Sequence, residues 1–152
     1  MGQLRTYHNW VKDSDLVSFR AVVKETDLQV SAIGDFRVET LAEIKKCRAD
    51  VERYIDQHLD FLVALDPMDV ATDAPPIVVK MALAAGKAGV GPMAAVAGAI
   101  AEDVGNALLK RSAEVIVENG GDLFISTRNP RRVGIFAGDS PLSGKLAIEV
   151  AP

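Results

Sequence analysis

The stretch that most limits the fold runs from Ala88 to Ala101, fourteen residues without a charge and mostly small, broken near its start by Gly91-Pro92. A bilayer-spanning helix needs about 18–20 apolar residues, so no transmembrane helix is expected. Proline fits the first position of a helix, where its missing N–H costs nothing, and Gly91 suits the cap before it. The spacing predicts a helix from Pro92 to about Lys110 with only small side chains over most of its length. Another backbone or a flat ligand can approach such a helix closely, and burial as a packing helix suits the same residues. Its first turn offers backbone donors and a positive dipole end, a natural place for phosphate.

Around this stretch the pattern changes. Leu16 to Lys24 is rich in β-branched residues and reads as a strand, Glu25-Thr26-Asp27 as a turn, and Leu28 to Gly34 as its antiparallel partner. From Phe36 to about Leu65 the chain reads as one helix, with Leu41, Ile44, Val51, Tyr54, Ile55 and Leu59 at three- and four-residue steps. Asp66 to Pro76 is a connector dense in proline and acid, and a short helix follows from Pro76 to Lys87. After the small-residue helix come strands at Ala113–Glu118, Asp122–Thr127, Arg132–Ala137 and Gly144–Val150, with turns at Asn119–Gly121 and Arg128–Arg131. A hairpin, then helices, then a run of strands predicts an α+β fold with a mostly antiparallel sheet packed with helices.

The chain has 152 residues, of which 49% are apolar and 25% charged, enough for one domain with a real core. Net charge is −4, which argues against general binding to nucleic acid or to an anionic membrane. The N-terminus has no apolar signal core, and a single cysteine, Cys47, excludes an internal disulfide, so a cytoplasmic protein is expected. Ten of the 12 glycines lie between Gly86 and Gly144, so chemistry that brings backbone close to a ligand is expected in the second half.

Several familiar signatures fail. Gly86-Lys87 suggests a phosphate loop, but Met81 stands where the earlier glycine belongs and Ala88 replaces the magnesium-binding hydroxyl. Gly89-x-Gly91-x-x-Ala94 follows a helix rather than a strand, unlike a dinucleotide fingerprint. His8 and His58 are too far apart in sequence to suggest a transition-metal cluster. Cys47 reads as a buried, inert thiol. Three segments remain. The first is the small-residue helix, with Gly91, Pro92, Met93, Ala94 and Gly98 as candidate ligand contacts. The second is Val117-Glu118-Asn119-Gly120-Gly121-Asp122, a hairpin turn in which Asp122 could hold magnesium with ligand phosphates or accept a hydrogen bond from a ring nitrogen. A plain hairpin also fits. The third, Val133 to Lys145, is a loop of small and hydroxyl residues that fits either a site or an ordinary turn.

In this order the segments resemble the ApbE-like superfamily, the fold of FAD:protein FMN transferases, and most closely its branch in archaea and anaerobic bacteria. The likeness runs from Tyr7-His8-Asn9-Trp10 through Val23–Leu28, Lys87–Gly98, Val117–Asp122 and Val133–Gly138 to Ser140–Gly144, nearly the whole chain. It implies a single ApbE-like domain over residues 1–152. It also implies FAD or a related nucleotide against Gly91, Pro92, Met93, Ala94, Gly98, Asn119, Gly120, Gly121 and Asp122, with Mg2+ at Asp122 and flavin transfer to a hydroxyl on another protein. Ala97-Gly98-Ala99 occupies the place where the transferases carry lysine-glycine-tyrosine. That departure points to the alternatives of a non-flavin enzyme or accessory protein of sulfur assimilation, to which the branch is linked, or a non-catalytic module. The family also continues past the equivalent of Pro152. The chain is therefore expected to be an N-terminal portion whose open sheet edge is covered by a C-terminal remainder or by a second copy of itself, as a homo-oligomer.

Overall fold

The computed structural model describes residues 15–152. Tyr7 to Trp10, including His8, lie outside the described residues.

Two strands open the described chain, β1 (Val17–Val23) and β2 (Thr26–Ala32), paired antiparallel with Val23 opposite Thr26. The tight turn is Lys24-Glu25, with Lys24 at φ 52°. β2 also pairs antiparallel with β3 (Val115–Asn119), which pairs with β4 (Asp122–Ser126), giving the order β1-β2-β3-β4. Alternation buries one face. Phe19, Ala21, Leu28, Val30, Ala32, Val115 and Val117 all enter the core. The expected α+β class is observed, with four α-helices and antiparallel sheets of four and two strands among the described residues.

The helices lie between β2 and β3 in sequence. α1 (Arg37–Gln57) buries Thr40, Ile44, Cys47, Val51 and Tyr54, one stripe at helical spacing. Thr40 is tolerated there because its hydroxyl donates to the Phe36 carbonyl at 2.9 Å. The single helix expected to Leu65 instead breaks at His58, and α2 (Leu59–Val63) is separate. His58 adopts φ −139°, its ring stacks on Tyr54 with centroids 4.1 Å apart, and its Nδ1 lies 3.1 Å from the Tyr54 carbonyl oxygen. The imidazole thus occupies the carbonyl that the His58 N–H would use in a continuing helix, and that N–H donates to Ile55 instead. Leu59, beyond the break, is exposed rather than on the buried stripe.

The connector is pinned by the Tyr54 hydroxyl, which accepts from the Ala71 N–H at 3.0 Å. α3 (Pro76–Ala88) ends on Gly89 at φ 70°, whose N–H donates to the Ala85 carbonyl. A 3-10 turn (Pro92–Ala95) then leads into α4 (Val96–Leu108). Gly91 caps this turn and Pro92 takes its first position, as the sequence suggests, but the α-helix proper begins four residues later than expected. α4 lies against β3 and β4 and also touches α1 and α3.

α4 can lie so low because of its glycines. A side chain on Gly105 would overlap the ring of Phe124, and a Cβ on Gly98 would sit 3.1 Å from Asp122 Oδ1. Two turns of helix separate these glycines, and one strand repeat separates their partners on β4. The last strands, β5 (Arg131–Gly134) and β6 (Ala147–Val150), pair with each other as a separate ribbon rather than extending the main sheet. Among the described residues the edges of the main sheet are therefore β1 and β4.

Candidate functional site

The hairpin joining β3 to β4 is fixed by its own residues. Gly120 and Gly121 have φ of 64° and 114°, the positive values that a primed two-residue turn requires. The Glu118 carboxylate accepts from the Gly121 N–H at 3.2 Å. Asn119, buried at the end of β3, donates through Nδ2 to the Ala97 carbonyl on α4 at 3.0 Å. Asp122, opposite Asn119 in register, is exposed. The hairpin thus ends against α4, and a cleft opens on each side of that helix.

The first cleft, about 460 Å3, lies between α3, α4 and β4. Ala84, Ala95, Ala99 and Phe124 form apolar walls, and Lys80, Glu102, Asn106 and Asp122 supply the polar groups. Lys80 Nζ reaches Asp103 Oδ1 at 2.5 Å and Glu102 Oε1 at 3.1 Å. Partial burial pulls the Lys80 ammonium pKa down, but the hydrogen bonds to Asp103 and Glu102 outweigh it, and the net direction is up. Lys80 therefore stays protonated, with two of its three donors engaged. Asp122 forms no ion pair among the described residues. Two lining carboxylates, Glu102 and Asp122, with Asp103 bonded to Lys80 behind them, outnumber the one ammonium and leave this cleft negative.

The second cleft, about 330 Å3, lies between α1, α4 and the β1–β2 turn. Val51, Ile55, Met93, Val96 and Ile100 line it, with Thr26, Arg48 and Asn119 among its polar groups.

The residues expected at one site are divided between these places. Gly98 and Asp122 line the first cleft, and Met93 and Asn119 line the second. Gly91 and Pro92 are buried, with Gly91 packed on the Ala64 carbonyl so closely that a Cβ would overlap it. Ala94 is exposed, and its N–H is already donated to the Gly91 carbonyl at 3.1 Å. Gly120 and Gly121 shape the turn and line neither cleft. Sequence reasoning missed Lys80, Glu102 and Asn106 on one side and Thr26 and Arg48 on the other. Lys80 did carry a signal, as the one charge in the apolar run from Pro76 to Gly86.

Cys47 is buried on the inward stripe of α1, and burial pushes its thiol pKa up to about 12. Among the described residues there is no group of three or more His, Cys, Asp or Glu able to hold a metal ion. No single helix among them is long and apolar enough to cross a membrane.

An antiparallel α+β domain with a small-residue helix lying on a Glu-Asn-Gly-Gly-Asp hairpin is the class that the fold and the two clefts define. The chain belongs to the AbpE bacteria family, whose model matches residues 8–152. It is 46% identical over 132 residues to a UPF0280 protein of Methanospirillum hungatei, covering 86% of this chain and 54% of that relative. The UPF0280 protein MK0206 of Methanopyrus kandleri is 39% identical over 139 residues, covering 89% of this chain and 56% of its own length. The UPF0280 protein MJ1526 of Methanocaldococcus jannaschii is 40% identical over 135 residues, covering 86% and 53%. The chain thus spans about half the length of the curated relatives it matches.

Proposed function

We propose that the first cleft binds the diphosphate of a nucleotide, FAD in the reading closest to the ApbE-like resemblance, together with Mg2+ at Asp122. The observation that carries this reading is the Asp122 carboxylate, exposed, without an ion-pair partner among the described residues, and set against a glycine on α4. The donor set fits the ion. Mg2+ keeps several waters and takes one or two carboxylates plus substrate phosphates rather than a full protein cage. The negative cleft excludes a bare diphosphate and admits one that arrives with a cation. The chemistry supplied by the bound cation is neutralisation of diphosphate charge during transfer of an FMN group to a protein hydroxyl.

The chain's own part is to bind and orient. Asp122 supplies the carboxylate. Gly98 leaves room beside it, where any larger side chain would meet Asp122 Oδ1. Lys80, held by Glu102 and Asp103, keeps one N–H to offer a ligand oxygen. The acceptor protein, the remaining half of the relatives' length and any second copy of the chain belong to the same proposal.

A second reading has a specific observation behind it. Ala97 and Ala99 stand where the resemblance places lysine and tyrosine, Ala99 on the first cleft and Ala97 on the second, so α4 offers neither cleft a long side chain at these positions to grip a dinucleotide. That favours a smaller, non-flavin ligand and the role in sulfur assimilation, as enzyme or accessory protein. Calorimetric titration with FAD, with and without Mg2+, separates the two. The flavin reading expects Mg2+-dependent binding that Asp122→Asn weakens about ten-fold or more. Equal affinity in wild type and variant removes Asp122 from the site, and no FAD binding leaves the second reading.

A further inference from the structure

We propose that the exposed face of α2 and the acidic connector after it form a docking surface for another protein, and that the docking segment is a basic amphipathic helix, apolar on one side and flanked by lysine or arginine. The proposal does not rest on the Mg2+-diphosphate reading of the first cleft.

The apolar part is built by the break at His58. Just beyond it, Phe61 is fully buried and packs edge-on to the Tyr54 ring, with centroids 5.1 Å apart. That anchor fixes the rotation of α2. Leu59, Leu62 and Val63 stand at three- and four-residue steps and share the opposite side, each between 48% and 71% exposed. Turning the helix to hide them would bring Phe61 into water. Leu65, two residues past the helix, is 86% exposed, and its backbone lies against Gly91 in the turn before α4. Four large apolar side chains within seven residues are thus held in water by a buried anchor. Exposed apolar surface of this kind commonly marks a contact.

Charge selects the partner. From Tyr54 to Val79 the sequence carries five aspartates, Asp56, Asp60, Asp66, Asp69 and Asp73, and no lysine or arginine. The whole chain is net −4, so its excess acid sits here. All five are exposed, and none makes an ion pair among the described residues. The Tyr54 hydroxyl accepts from the Ala71 N–H at 3.0 Å, which folds the connector back onto the last turns of α1. Asp69 and Asp73, two residues to either side of Ala71, therefore return to the end of α1 that carries Asp56. Asp60 and Asp66 flank the apolar side chains along the chain.

Aspartates gathered at one end and not neutralised by neighbours add to a field that draws in cations and repels anions. An anionic lipid surface is repelled. The same face of a second copy would set aspartate against aspartate. A helix with lysine or arginine beside an apolar stripe meets both demands: its apolar side chains cover the leucines and its bases meet the aspartates.

The test uses a fluorescein-labelled amphipathic peptide of leucine and lysine, followed by anisotropy, beside a leucine–glutamate peptide of the same pattern. The chain is expected to bind the first and not the second, with affinity falling as salt rises. Leu62→Ser and Leu65→Ser should each weaken binding about ten-fold. Asp60→Asn and Asp66→Asn should each weaken it about three-fold and flatten the salt dependence. Ile148→Ser, on the β5–β6 ribbon, should leave it unchanged. These side chains are exposed, so melting temperatures should hold. If Leu62→Ser melts lower, Leu65→Ser, outside the helix, decides. No binding, equal binding of the two peptides, or binding indifferent to the variants on this face overturns the proposal. Three other occupants would overturn it as well. Binding to phosphatidylglycerol vesicles that Leu62→Ser abolishes would assign the face to a membrane. Self-association that Leu62→Ser abolishes would assign it to a second copy. Loss of peptide binding in a folded chimera carrying the remaining half of the Methanospirillum hungatei relative would assign it to that half.

Discussion

At the scale of single residues, the glycines of α4 carry packing that their lack of side chain conceals. Gly105 gives its space to the Phe124 ring. Gly105→Ala should therefore lower stability by about 1–3 kcal/mol, the usual cost of overpacking, read as a fall in melting temperature. Gly98→Leu meets Asp122 at the mouth of the first cleft rather than a core ring. It should lose nucleotide binding more than it loses stability. Equal melting and equal binding in that variant would show that the cleft does not need this opening. Cys47 makes a third test. Its raised pKa and burial leave almost no thiolate at neutral pH, so the folded chain should react with a disulfide reagent only as fast as it unfolds. Rapid labelling of native protein would contradict the burial.

At the scale of elements, the ribbon of β5 and β6 is tied to the main sheet by buried polar groups. Arg131, 4% exposed, bonds Glu114 Oε2 at 2.6 Å and both carboxylate oxygens of Asp15 at 2.9 and 3.1 Å. Thr127 and Asn129, just after β4, also donate to Glu114, at 2.7 and 2.9 Å. Glu114 thus joins the start of β3, the loop after β4 and the start of β5. The Thr127 hydroxyl, and Arg131 after it, hold its carboxyl below the ordinary value of 4.5. A carboxyl whose folded pKa is lowered stabilises the fold above its unfolded pKa and loses that contribution as pH falls through the folded value. Glu114→Gln should therefore cost about 3 kcal/mol at pH 7, the cost of breaking a buried pair, and the deficit should shrink as pH drops below 4.5. Urea titrations of both proteins across that range check it. A deficit that does not change with pH would mean that the charge on Glu114 is immaterial.

At the scale of the whole molecule, the ribbon leaves Ile135, Leu142, Leu146 and Ile148 exposed. A two-stranded ribbon is marginal in water, and a contiguous exposed apolar surface commonly marks a contact. The 152-residue chain should bind a hydrophobic dye and associate with rising concentration. Ile148→Lys should reduce both, read by dye fluorescence and light scattering. A wild type that stays monomeric and dye-free would show that this surface needs no cover.

The elements were legible because they rest on local rules. Alternation marked β1 and β2, three- and four-residue spacing marked α1, Gly91-Pro92 marked where helical structure begins, though not that its first turn is 3-10, and paired glycines marked the β3–β4 hairpin. The break at His58 was not legible, because it depends on a ring stacking over Tyr54 and occupying a backbone carbonyl. Nor was the division of the candidate site. Residues 91–98 and 119–122 are close in space, as their sequence suggests, but α4 stands between the faces they present. Met93 and Asn119 look into one cleft, Gly98 and Asp122 into the other. The local sequence could determine which segments become helix, strand and turn, since each is governed by neighbours along the chain. Which side chains share a cleft depends on how far a helix sinks onto a sheet and how it is rotated there. Those were decided only by tertiary contacts, here Gly105 beneath Phe124 and Asn119 on the Ala97 carbonyl.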